Sequence, residues 1–140
     1  MFSYAPAPEA RDLANLKPTY QPFVDGEFVH GSGEPLKTVN PATEEVLAEV
    51  STAGTSDVDT AVRAARRAYE DVWRPMPGAE RAKYLFRIAR RIQEHSRELA
   101  VLETLDNGKP IKESRDTDLP TVAAHFFYHA GWADKLDYAG

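Results

Sequence analysis

His125 and His129 stand four residues apart, the spacing that puts two imidazoles on one helical face and can hold zinc. Phe126, Phe127 and Tyr128 lie between them, so the glutamate of a His-Glu-x-x-His motif is missing and no third ligand is evident. Packing or hydrogen-bonding histidines are the better reading. Asp116 and Asp118 are the right types for an acid–base pair, yet polar residues at a helix start ordinarily cap it. Between Arg63 and Arg97, ten Lys or Arg residues stand against four Asp or Glu, enough to neutralise phosphates. Their spacing places most of them on the solvated sides of amphipathic helices, and no DNA-binding signature accompanies them. The net charge of −5 also argues weakly against a nucleic-acid partner. The chain has no cysteine, which excludes a thiol nucleophile, a disulfide or a Cys-ligated metal within these 140 residues.

The elements that must position these groups follow from local pattern. Residues 1–19 carry Pro6, Pro8 and Pro18 without a sustained period and read as an arm or a surface-hugging lead-in. Phe23-Val24-Asp25-Gly26-Glu27-Phe28 reads as a hairpin, since Asp-Gly accepts the positive φ of a two-residue turn. Strands are expected over Lys37 to Asn40 and Glu45 to Val50, with a turn at Asn40-Pro41. From Ser56, a candidate N-cap, the period becomes helical, with Val58, Ala61, Val62, Ala65, Tyr69 and Val72 on one face. A second helix from about Ala79 to His95 should bury Leu85, Ile88, Ala89 and Ile92. A third, capped by Ser96, carries Leu99, Leu102 and Leu105 and ends at Asn107-Gly108. After a short segment from Ile111 to Thr117, Asp118 should cap a last helix with Pro120 in its first turn. The aromatic row on that helix suggests burial on more than one side.

With 42% apolar and 28% charged residues, the composition is that of a soluble globular chain rather than a disordered or membrane one. No apolar run reaches the ~18 residues that would span a bilayer. The amino-terminal residues have no basic-then-apolar leader pattern, and with the missing cysteines this favours a cytoplasmic location. Two or three short strands do not supply the sheet that four helices should cover, so the chain reads as the first part of something larger.

The order of several blocks resembles the amino-terminal portion of aldehyde dehydrogenases. These are Phe23-Val24-Asp25-Gly26-Glu27-Phe28-Val29, Asn40-Pro41-Ala42-Thr43, the stretch from Asp57 to Arg66, Trp73-Arg74 and Glu80-Arg81. Most specific are Glu103-Thr104-Leu105-Asp106-Asn107-Gly108-Lys109-Pro110 and Ala130-Gly131-Trp132-Ala133-Asp134-Lys135. The resemblance covers about residues 20–138. It implies an incomplete α/β fold: a short hairpin and strand, then about four helices flanking a dinucleotide-binding domain. Residues 1–19 would form an arm and 20–140 a truncated part of the dehydrogenase domain.

The resemblance implies a parent that oxidises an aldehyde to a carboxylic acid with NAD or NADP, as a homodimer or homotetramer, with neither nucleic acid nor membrane as partner. The cysteine nucleophile, general base and cofactor site of the family lie beyond the matched stretch, so this chain alone is expected to be inactive. Residue by residue, the resemblance carries over a structural K+ or Na+ site made by the carbonyls of Thr38 and Val39 and by Asp106. Asp106 in a last helical turn opposes the helix dipole, which calls for a compensating partner: a cation, Lys109 or water. The resemblance also places Thr117, Asp118 and Thr121 at the substrate entrance. A short non-catalytic helical interaction module or decayed relative, and a basic-helix nucleic-acid binder, are the alternatives.

Overall fold

The computed structural model describes residues 10–135. The chain forms two compact units, Leu16–Met76 and a second that joins residues 10–15 to 77–135. In the first, Asp25 and Gly26 take φ values of 55° and 89°, the pair of positive angles that an Asp-Gly hairpin requires. They connect β2 (Phe23–Val24) to β3 (Glu27–Phe28), with Phe23 opposite Phe28 and their rings edge to face at 5.1 Å. β4 (Leu36–Val39) pairs antiparallel with β5 (Val46–Val50), with a register shift between Thr38 and Val39. The intervening turn is held by Asn40, which is buried: its Oδ1 accepts the Ala42 N–H at 2.9 Å. The expected hairpin and both expected strands are therefore present. The structure adds one strand: β1 (Thr19–Tyr20) runs parallel to β5 and gives the sheet the order β1-β5-β4. Two residues carry no periodicity from which a strand can be read.

α1 (Thr55–Ala68) begins two residues earlier than expected, with Gly54 rather than Ser56 as N-cap. Gly54 has no side chain with which to cap, and Asp57 compensates. Its Oδ2 accepts the Gly54 N–H at 2.9 Å and also the Ser32 N–H and Oγ–H, both at 2.7 Å. These donors hold the Asp57 carboxyl below the usual carboxylate range, the Ser32 N–H contributing most. A carboxyl depressed in this way adds stability above its unfolded pKa of about 4 and loses it as pH falls through the folded value. Asp57→Asn is therefore expected to flatten the acid limb of a stability-versus-pH titration below about pH 4. An acid limb identical to that of the wild type would contradict the assignment.

In the second unit, a 3₁₀ turn (Arg11–Leu13) packs on α3 (Ser96–Asn107). α2 (Gly78–Glu94) lies antiparallel to α5 (Leu119–Trp132): Gly78 meets Ala133, and Phe86 meets Phe127 at 5.9 Å between ring centroids. Close approach is helped by small buried residues, Ala82 and Ala89 on α2, Ala123 and Ala130 on α5, beside the buried Leu119 at the start of α5. Ile88, expected inside, is exposed, and so is Leu102 on α3, where Ala100 and Val101 are buried instead.

α3 ends as expected at Gly108, whose φ is 74° and whose N–H bonds the Thr104 carbonyl. The last helix departs from expectation. Asp118 does not cap it, because α4 (Ile111–Glu113), a π turn (Ser114–Asp118) and α5 form one continuous helical run. Asp118 has helical φ and ψ and makes no cap bond. The signal that misled is Pro120, which ordinarily marks a first turn. Here the Leu119 N–H bonds the Ser114 carbonyl five residues back, and the widened turn relieves the clash of Pro120 with the carbonyl four residues before it.

Candidate functional site

The residues carried over as a substrate entrance lie on this π turn and the start of α5. Thr117 and Thr121 are exposed, while Asp118 is half-buried. The Lys109 ammonium donates to Oδ2 of Asp118 and lies 3.8 Å from Oε1 of Glu103 on α3. The Asp118 hydrogen bond chiefly, with Coulombic help from Glu103 and Glu113, raises the Lys109 pKa above its ordinary value. Lys109 carries no sequence signal of a site residue, since nothing local links it to a residue nine positions away. Asp116 does not join this group. It takes two bonds from the Arg115 guanidinium, at 2.6 and 2.8 Å, and that neighbour holds its carboxyl below the usual range. Behind the turn Ser114 is fully buried, and its Oγ and the Oγ1 of Thr104 have no hydrogen-bond partner.

Thr38 and Val39 flank the register shift in β4, in the first unit. Asp106 sits in the last turn of α3, in the second unit. Thr38 and Asp106 each have an interaction partner. His125 and His129 are exposed, the latter edge-on to the Tyr128 ring at 5.3 Å. Among the described residues no three His, Cys, Asp or Glu side chains cluster as a metal site. Several of the basic residues are engaged at the surface: Arg67 with Asp25, Arg74 with Glu70, Lys83 with Glu80 and Arg91 with Glu94. No described helix is long and apolar enough to cross a membrane.

Gly31 and Gly33 do not form a dinucleotide cradle. A phosphate-binding turn needs glycines whose open side admits the ligand. A Cβ built on Gly31 would lie 2.0 Å from the Thr52 carbonyl oxygen, and one on Gly33 would lie 2.4 Å from Thr52 Oγ1. The space that these glycines leave is filled by the chain itself.

Among the described residues, a leading hairpin, a small mixed sheet and an antiparallel helix pair form a mixed α/β framework. The sequence model of the aldehyde dehydrogenase family matches residues 28–139, and the chain belongs to that family. An aminoacetaldehyde dehydrogenase of Pseudomonas aeruginosa is 44% identical over 125 residues, 88% of this chain and 25% of its own length. A mitochondrial aldehyde dehydrogenase of Arabidopsis thaliana, family 2 member B4, is 43% identical over 118 residues, 83% of this chain and 22% of its own. An aldehyde dehydrogenase from Bacillus cereus, solved as an NAD+ complex, aligns with a TM-score of 0.81 at 44% identity, covering 89% of this chain and 25% of that one. The chain thus spans about a quarter of the length of the relatives it matches.

Proposed function

We propose that the chain is the leading quarter of an NAD(P)-dependent aldehyde dehydrogenase that oxidises an aldehyde to a carboxylic acid. The cysteine that forms the thiohemiacetal and thioester, the general base and the cofactor site would come from the rest of the polypeptide. The observation that carries this reading is the collinear match over residues 28–139 to proteins about four times as long, in a chain without any cysteine. In this reading Thr117, Asp118 and Thr121 border the substrate entrance. The Thr38 and Val39 carbonyls and the Asp106 carboxylate hold a structural K+ or Na+. The parent is a cytoplasmic homodimer or homotetramer with neither nucleic acid nor membrane as partner, consistent with the acidic net charge.

The test is NADH or NADPH formation with a panel of aldehydes. The 140-residue chain should give none, whereas the protein translated past Gly140 should turn over and be stopped by a thiol alkylator. Exchanging K+ and Na+ for choline should lower the melting temperature of that longer protein if the cation site exists. Turnover by the 140-residue chain itself would overturn the reading. A reading frame that stops at Gly140, giving a monomer that melts cooperatively, would favour the non-catalytic helical module.

A further inference from the structure

Lys109 is held on both sides by its neighbours. Gly108 before it is left-handed, and Pro110 after it keeps residue 109 out of the α region. From this fixed position the ammonium meets Asp118 at the end of the π turn and Glu103 on α3, so two elements converge on one charge. The Lys109 and Asp118 side chains are only 33% and 29% exposed, which makes the pair less screened than the surface pairs on α1 and α2.

The π turn is already favoured by Pro120, which a regular helix would crowd, and the Lys109–Asp118 pair restrains it further. The turn is an α-helix carrying one extra residue, and its competitor is a regular helix in which residues on one side are rotated by about 100° relative to the other. The buried Ser114 hydroxyl at its start has no partner and cannot select between the two. A carboxylate at its end, tied to a fixed ammonium outside the helix, can. Thr117 directly precedes that carboxylate and Thr121 follows it by three residues, so the choice of turn fixes the direction of both.

We propose that Lys109, braced by Glu103, is a positioning residue. It holds Asp118 and the π turn, and thereby sets how Thr117 and Thr121 are presented to the incoming aldehyde and which aldehydes enter. The specificity role rests on the proposed function above; the restraint of the turn does not. Neither Lys109 nor Asp118 needs to touch the reacting carbonyl.

The experiment compares Asp118→Asn, Lys109→Met and Lys109→Arg in the full-length protein that carries this chain. One readout is amide hydrogen exchange, and the other is kcat and KM separately over short to long straight-chain aldehydes. Asp118→Asn and Lys109→Met should speed exchange over residues 114–121 by about tenfold while leaving residues 58–68 unchanged. Lys109→Met should raise KM by roughly tenfold for the longest aldehydes, less for the shortest, with kcat within about twofold. Lys109→Arg should retain both properties. A pair that merely stabilises would lower the melting temperature and shift all aldehydes alike, and that outcome overturns the specificity role. Unchanged exchange over 114–121 overturns the restraint itself. A wild-type protein that oxidises no aldehyde defeats the functional reading and the specificity role with it, while the exchange data still decide whether Lys109 holds the turn.

Discussion

The 140-residue polypeptide, produced alone, is expected to bind a hydrophobic dye with several-fold enhanced emission and to sediment as a concentration-dependent mixture of assemblies. The reason lies in what is buried. Among the described residues the buried apolar set is eight alanines with Val101 and Leu119, while Val58 and Val62 on α1, and Tyr69 and Val72 in the π turn that follows it (Tyr69–Trp73), remain 45–60% exposed at positions that the sequence's helical period assigns to a core. Tyr84, Ile88, Ile92 and Leu99 line an open apolar groove on α2 and α3, and Tyr128 and Trp132 are exposed at the end of α5. Covering a side chain of this size is worth about 1.5–3 kcal/mol, so the incentive to associate is large. Val62→Asp should reduce dye emission and association without lowering the melting temperature, since it removes exposed surface rather than core. A monodisperse monomer with the weak dye emission of a well-packed protein would contradict this expectation.

Gly31→Ala is expected to destabilise the Leu16–Met76 unit by on the order of 3 kcal/mol or more, because the added methyl meets a backbone carbonyl and not a pliable side chain. The new Cβ would stand 2.0 Å from Thr52 O and 2.7 Å from Thr52 C. That stretch is held by the Gly31 N–H to Ser51 Oγ at 3.0 Å, the Gly33 N–H to Thr52 O at 3.0 Å and Thr52 Oγ1 to the Glu34 carbonyl at 2.6 Å. Relief of the clash must break some of these bonds. Thermal unfolding should fall by about 10 °C or more for a unit of this size. Gly26→Ala separates sterics from backbone conformation. Gly26 has a φ of 89° and nothing within 4 Å of the added Cβ, so it should cost only about 1–2 kcal/mol. A Gly31→Ala variant that melts with the wild type would remove the close-packing account.

The candidate entrance shows how unevenly the sequence speaks. Thr117 and Thr121 can be placed near a functional surface only through resemblance, because two threonines on a helix look like any exposed polar pair. Asp118 carries a local signal, an acidic residue two before a proline, and that signal points to a cap that is not there. Lys109, which the structure makes central, has no signal beyond its place after Asn-Gly.

The sequence by itself determined what depends on neighbours three or four residues apart. Asp25-Gly26 dictated the hairpin turn, Gly108 the end of α3 and the 3.6-residue period the course of α1, because backbone sterics and helical spacing act over that range. The ordered blocks from the hairpin to Ala130-Gly131-Trp132 were also sufficient to place the chain in its family. Only the tertiary structure decided the rest: Ser32 meeting Asp57 across 25 residues, β1 joining the sheet, alanines rather than leucines filling the helix contacts, and Lys109 holding Asp118 at a π turn. Each depends on which surfaces the folded chain brings together, and local propensity is too weak to specify that.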